Sequence, residues 1–410
     1  MSPDIYRRAA ERVRSVWERC EEIEYANLRR VVRAFQSAGV GSHDLQSSTG
    51  YGYGDSGRAK LEEIFAITFG AEAALVRPQI ASGTHALWLC LDALVSPGDQ
   101  LVCVTGAPYD TLKAAITSDN PASLVSRGVL YAEVPLAPGG KIDLDRLSAV
   151  LTPASRLLFV QRSKGYAWRP AVSVEEIARL CAWRDRHRPD LLVMVDNCYG
   201  EFVEAAEPCS VGADVAAGSL IKNPGGTLAP GGGYVVGRRR LIERVADRMT
   251  APGLGNRVGP SYGVTATLLQ GFFMAPHLVR EALCGLVLAA YVLEEAGFEV
   301  EPRWDDGLHD SVLAVKLGEP ERLIAFCQAV QSGSPVDHYV HLEPGTLPGY
   351  TDRVVMAAGT FVQGSSSELS ADGPLRPPYA AYLQGGISRQ QVRLALERIL
   401  AVLGASPQPS

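Results

Sequence analysis

Residues 191–226 read LLVMVDNCYGEFVEAAEPCSVGADVAAGSLIKNPGG. Two short apolar runs, LLVMV and DVAAGSL, lack the alternation of a half-solvated strand and are bounded by turn residues, the pattern of strands buried on both faces. Asp196 ends the first run, and Lys222 follows the second in a turn rich in glycine. Outward from this stretch, residues 58–240 alternate helix and strand. Residues 58–70, 84–95 and 173–187 carry helical spacing, while 73–79, 100–105, 124–136, 156–162 and 232–237 are strand-like. Such alternation predicts an α/β layer with a largely parallel sheet covered by helices on both faces. A helical segment over 262–296 leads to a smaller C-terminal domain, with strands expected at 299–303, 311–318 and 354–361 and helices at 320–333 and 388–404. The division expected is an N-terminal helical segment and interface loop (1–57), a large domain (58–260), and a linking helix with a small domain (261–410).

At 410 residues the chain is too long for one growing core, which supports two domains. A net charge of −6, with no basic run, argues against nucleic acid or an anionic membrane as partner and favours a small molecule. The eight cysteines are scattered without a CxxC pair, as expected of free thiols in a reducing cytoplasm. No apolar run is read as reaching the roughly 20 residues of a membrane span. His338 and His341 lie three apart without further ligands, so no metal site is expected and they read as loop histidines.

Four features fall in an order that makes one site. Ser82-Gly83-Thr84 sits where a strand turns into a helix, and a helix N-terminus offers unpaired N–H groups to a phosphate. Read alone, it is an ordinary helix cap. Tyr109 follows the strand at 100–105, beside the crevice where such sheets bind ligands, and could stack on a flat heterocycle. Asp196 could keep a pyridinium protonated through a charge-assisted hydrogen bond. Lys222, near Ser219 and among small and apolar residues, could act as an amine nucleophile once desolvated.

The set Ser82, Gly83, Thr84, Tyr109, Asp196, Ser219 and Lys222 resembles the cofactor site of pyridoxal-phosphate (PLP) enzymes of fold type I, the aspartate-aminotransferase-like fold, and especially the cystathionine and methionine lyase group. More narrowly, the chain resembles the aluminium-resistance, methionine gamma-lyase-like family through GYGYGDSGR (50–58), AALVRPQIASGTHAL (73–87), QRSKGYAWRP (161–170), VDNCYGEFVE (195–204), GADVAAGSLIKNPGG (212–226), MTAPGLG (249–255) and residues 356–386. The resemblance implies a large domain with a mostly parallel mixed sheet, PLP held by Lys222 as a Schiff base, and Asp196 on the pyridine nitrogen. It also implies a homodimer or homotetramer with active sites at the interface, in which Tyr51 or Tyr53 and Arg58 reach a neighbouring subunit's phosphate, although the spacing of that tyrosine–arginine pair is not reproduced. Arg376 is the candidate clamp for the substrate carboxylate, because arginine forms a planar bidentate pair that lysine cannot. Arg162, Ser163 or Lys164 is expected to touch the cofactor, and Lys164 is the rival for the Schiff base.

The implied activity is a γ-elimination from an L-amino acid. Lys222 would take the Cα proton while the pyridinium drew off the electrons. The leaving group is expected to be a thiolate, as from methionine or cystathionine, or a halide, as in formation of the alkyne propargylglycine from a chlorinated unsaturated amino acid. An aminotransferase of the same fold and a non-catalytic PLP-binding stress or sensor protein are the alternatives.

Overall fold

The computed structural model describes residues 4–404; the tips of the first and last expected segments, residues 1–3 and 405–410, lie outside the described residues. The large domain is built on seven strands: β1 (Ala73–Arg77), β2 (Gln100–Cys103), β3 (Leu130–Glu133), β4 (Ser155–Gln161), β5 (Leu192–Asp196), β6 (Val215–Ser219) and β7 (Gly233–Gly237). Their order across the sheet is β1-β7-β6-β5-β4-β2-β3. Only β7 opposes its neighbours, so the other six strands run in one direction.

The LLVMV run explains its own lack of alternation. Val193 and Val195 enter the core beneath helices Arg14–Ala38, Ser56–Phe69 and Val174–His187, while Leu192 and Met194 enter the opposite core beneath Gly83–Leu94 and Arg239–Met249. Both faces of β5 are dry, so period-two polarity has no surface to report. Its carboxyl end opens on a crevice, and Asp196 stands there.

The small domain carries β8 (Glu299–Glu301), β9 (Val312–Lys316), β10 (Val354–Ala357), β11 (Ser370–Pro374) and β12 (Ala380–Gln384), all antiparallel, in the order β10-β11-β12-β9-β8. Helices Pro320–Ser332 and Arg389–Leu403 cover one face, and Ile5, Tyr6 and Ala9 of the first helix join the same core. The opposite face turns to the large domain, where Val312, Ala314, Ala380 and Tyr382 pack with Tyr166, Trp168 and Tyr199. That contact roofs the crevice.

Several expected elements differ. The strand read over 124–136 shrinks to Leu130–Glu133, because residues 124–128 form tight turns closed by backbone bonds such as Gly128 N–H to Val125 O. The strand read over 299–303 stops before Pro302, which has no N–H to give a ladder. Strands β11 and β12 were not anticipated: SADGP is glycine- and proline-bearing, and only pairing with neighbours makes it extended.

Helix Thr265–Glu295 is long and apolar enough by length and composition to cross a membrane, contrary to the expectation that no run approaches that limit. Of its most apolar window, 67 % is buried inside the fold. It joins the two domains, since Leu268, Phe272 and Val279 belong to the large-domain core and Leu286, Val292 and Leu293 to the small-domain core.

Phe272 stacks on Phe65 at 4.0 Å and meets Phe202 at 5.4 Å, with Phe69 and Tyr234 completing the cluster. This cluster fastens the linking helix to the underside of the sheet. Phe272→Ala should therefore lower the free energy of unfolding by about 3–5 kcal/mol, measured by denaturant titration; a loss under about 1 kcal/mol would show that the helix is held elsewhere.

Candidate active site

The crevice forms a cavity of about 350 Å³ at the carboxyl ends of β4, β5 and β6, closed above by the small domain. Ser82, Gly83, Thr84, Tyr109, Asp196, Ser219 and Lys222 all line it. They lie up to 140 positions apart in the chain, yet each stands at or shortly after the end of a strand of one sheet.

At the floor, Ser82 caps helix Gly83–Leu94, its hydroxyl accepting from the His85 N–H at 3.1 Å. A Cβ on Gly83 would stand 3.1 Å from Ser219 Cβ and 3.2 Å from Cys198 Sγ, tighter than an ordinary contact, so glycine leaves the helix end open at that point. The Thr84 and Tyr109 hydroxyls share a 2.8 Å hydrogen bond, and the Tyr109 N–H donates to Gln161 at 2.7 Å. These bonds orient the Tyr109 ring against the cavity.

Asp196 is 5 % exposed and accepts from the Cys198 N–H at 3.1 Å. Burial pushes its carboxyl up to about 6, against the pull of Cys198 and Lys222. A cation placed against it would be strongly favoured. Lys222 donates to the Tyr199 hydroxyl at 2.7 Å, and its Nζ lies 4.4 Å from the Tyr199 ring centre. Burial holds its ammonium below the usual lysine range, so the neutral, nucleophilic amine is easier to reach than in a solvated lysine.

Local backbone geometry sets both side chains. Tyr199 adopts φ 69°, a left-handed conformation that costs a bulky residue energy and that the surroundings must enforce. The turn after Lys222 presses on the linking helix: a Cβ at Gly226 would collide with the Gly271 carbonyl, and one at Gly271 with the Gly225 carbonyl. Glycine on both sides lets the turn sit that close. From the small domain, the Ser367 hydroxyl donates to the Lys222 carbonyl at 2.9 Å.

The donor set fits one group. Helix N–H groups at Ser82–Thr84 with the Ser219 hydroxyl suit a phosphate, the Tyr109 ring a flat heterocycle, Asp196 a protonated ring nitrogen, and Lys222 an aldehyde carbon. Fold and site together define a PLP enzyme of fold type I.

The comparisons with known proteins narrow this class. The model of the methionine gamma-lyase family matches residues 2–404, and the chain belongs to that family, whose members depend on PLP. The Bacillus subtilis protein YnbB is 47 % identical over 94 % of this chain and 92 % of its own length. A Listeria monocytogenes protein, described as a candidate cystathionine beta-lyase involved in aluminium resistance, superposes with a TM-score of 0.94 at 42 % identity, covering 98 % of this chain and 100 % of its own. A Clostridium novyi carbon–sulfur lyase involved in aluminium resistance gives 0.92 at 41 % identity, over 97 % and 94 %.

Other residues singled out in the sequence stand elsewhere. Arg162 is fully buried away from the cavity, bonded to Asn197 at 2.8 Å and Glu204 at 2.7 Å, so it is a strut of the loop after β5 and not a ligand contact. Lys164 is equally buried and paired with Asp310 at 2.9 Å, which removes it as a rival to Lys222. Ser163 does line the cavity, although its hydroxyl donates to Asp310 at 2.8 Å.

Arg58 does not project outward. Its guanidinium binds the carbonyls of Gly52 at 2.9 Å, Gly259 and Arg257, tying two loops of its own chain together. Tyr51 and Tyr53 are exposed and stacked on each other at 5.4 Å, outside the cavity. Arg376 is half-buried and is not among the residues lining the cavity; it bridges Asp352 at 3.0 Å and Asp110, the neighbour of Tyr109, at 3.3 Å. His338 and His341 lie exposed in a loop.

Several contributors were missed, among them Gln161, Cys198, Tyr199, Asp372 and the tyrosines Tyr166, Tyr350 and Tyr382, all of which line the cavity. Tyr199 and Cys198 directly follow Asp196 and Asn197, so a crevice at the end of β5 would have implicated them. Asp372 lies on β11, whose existence the sequence did not disclose.

Borohydride reduction of PLP-loaded protein, followed by peptide mapping, should place the cofactor on Lys222 alone. Lys164→Ala should keep that label while losing about 3–5 kcal/mol of stability by leaving Asp310 buried and unpaired. A label on Lys164 would overturn the assignment.

Proposed function

We propose that this chain is a carbon–sulfur lyase that releases a thiol from an L-amino acid by γ-elimination. The observation that carries the reading is the placing of Lys222, its ammonium disfavoured by burial, with a buried Asp196 in one cavity roofed by the small domain. When bound, PLP supplies an electron sink that stabilises negative charge at the substrate Cα.

The chain's own residues divide the remaining work. Asp196, anionic once a protonated ring nitrogen lies against it, holds that proton in place. Lys222 Nζ would hold the cofactor through its aldehyde and, with a substrate amine in place, would be the base set to take the Cα proton. Tyr199 aims that nitrogen through its hydroxyl. The same lysine is the nearest base for the Cβ proton whose loss lets a Cγ substituent depart. The roof from the small domain narrows the access of water, which competes for charge and protons.

Arg376 serves as the carboxylate clamp in this proposal, exchanging Asp110 for the substrate. Family membership and the lyase relatives support sulfur as the departing atom. Loss of halide from a γ-chloro unsaturated amino acid would use the same two deprotonations. The proposal includes a second copy of the chain, because Tyr51 and Tyr53 are exposed and unengaged by the cavity of their own chain.

Incubation of the PLP-loaded enzyme with thioether amino acids should release thiol together with 2-oxobutyrate, the γ-elimination product. Pyruvate would indicate β-elimination, chloride from a γ-chloro substrate would favour halide loss, and a stable pyridoxamine form would indicate transamination. Silence with every amino acid would remove the lyase reading. Arg376→Lys should raise KM by roughly tenfold or more, as one planar pair of hydrogen bonds is lost; an unchanged KM would exclude Arg376 as the clamp.

A further inference from the structure

The cavity holds a second carboxylate that the reaction outlined above does not use. Asp372 projects from β11 on the roof, so the cavity is acidic both at its floor and at its ceiling. Its Oδ2 accepts from the Gln384 amide at 3.1 Å and the Tyr166 hydroxyl stands near the carboxylate as a second donor, while its Oδ1 has no N–H or cation bonded to it among the described residues.

Aromatic rings frame this acid. Tyr166 lies 5.2 Å from Tyr382 and 5.7 Å from Tyr350, centre to centre, and all three line the cavity. Tyr382 is the direct cross-strand partner of Asp372, so the acid and one wall of the frame are fixed by the same ladder. A carboxylate with aromatic faces around it is the chemistry of a cation site.

Lys222 is the only lysine or arginine lining the cavity among the described residues. Its ammonium lowers the Asp372 carboxyl against the effect of burial, so this acid already responds to a cation in the cavity. A substrate side chain ending in an ammonium would offer the acid a cation of its own while Lys222 serves the reacting carbon.

We propose that Asp372, framed by Tyr166, Tyr350 and Tyr382, is a subsite for a positively charged side-chain end, so that the preferred substrate is an amino acid bearing a second, distal ammonium group. This rests on the cavity being a PLP site for amino acids. It separates the chain from an enzyme for purely apolar thioethers.

The probes are two unreactive ligands of equal length, L-lysine and L-2-aminoheptanoate, which differ in whether the chain ends in an ammonium or a methyl group. Equilibrium binding to the PLP-loaded enzyme is read from the change in cofactor absorbance, independently of turnover. L-Lysine should bind roughly tenfold or more tightly than L-2-aminoheptanoate, and Asp372→Asn should abolish that preference. Equal binding, a preference for the methyl end, no binding of either ligand, or an unchanged ratio in Asp372→Asn would each overturn the subsite.

If the variant fails to load cofactor, the wild-type ratio at two pH values decides. Burial pushes the Asp372 carboxyl up to about 6, opposed by Lys222, Tyr166 and Gln384. Tyr199, Tyr350, Tyr382 and Cys327 also face it, and all four are held protonated above the tested range. A raised carboxyl is anionic above its pKa, so the preference for L-lysine should be full near about pH 8 and shrink toward about pH 5; a ratio constant over that range would overturn it.

The same two ligands keep this claim apart from the lyase reading. Thioether turnover without a charge preference would remove the subsite and leave the lyase. A charge preference without turnover of any thioether would do the reverse.

Discussion

Lys222 is held in a cavity whose burial disfavours its ammonium, with a tyrosine hydroxyl at its nitrogen and a buried carboxylate at the floor. Neither the amine nor Asp196 is comfortable as placed, since burial raises one group's affinity for protons and lowers the other's. That discomfort is affinity for a bound group: a ring whose aldehyde consumes the amine and whose protonated nitrogen compensates the acid satisfies both at once. The fold supplies the dryness. Two strands buried on both faces carry the two groups, and a second domain closes over them.

Holding that arrangement open requires a stiff layer behind it. The loop after β5 is braced by Arg162, which ties Asn197, Gly200 and Glu204 together, while Glu207 accepts from Asn197 at 3.1 Å and from the Phe202 N–H at 2.9 Å. Beneath them Glu201, pushed up to about 8 by burial, accepts from the Tyr234 hydroxyl at 2.7 Å. A carboxyl kept protonated at neutral pH behaves there as a neutral hydrogen-bonding group. Removing one member of such a network leaves buried partners unsatisfied, which is costlier than the bond itself is worth. The left-handed Tyr199 is a plausible beneficiary, because the loop cannot relax without breaking this network.

Much of the fold was legible because buried parallel strands and amphipathic helices leave opposite signatures in sequence. The runs at 191–197 and 214–220 marked β5 and β6 with Asp196 and Lys222 at their ends, and Ser82-Gly83-Thr84 marked a helix start. Legibility failed where structure depends on partners distant in the chain. Strand β11 is extended only through β10 and β12, so Asp372 had no visible address. The charged residues Arg162, Lys164 and Arg58 were read as ligand contacts because sequence shows the cation and hides the carboxylate or carbonyl that engages it. Glu204, Asp310 and the Gly259 carbonyl lie 42, 146 and 201 positions from those partners.

The central claim is that one amine and one acid hold the two ends of the same ring. A crystal structure of the PLP-loaded protein tests it most directly. Continuous density from Lys222 Nζ to the cofactor's aldehyde carbon, with the pyridine nitrogen in hydrogen-bond contact with Asp196, is the predicted result. A ring bound elsewhere, or one whose nitrogen faces a group other than Asp196, would contradict the account.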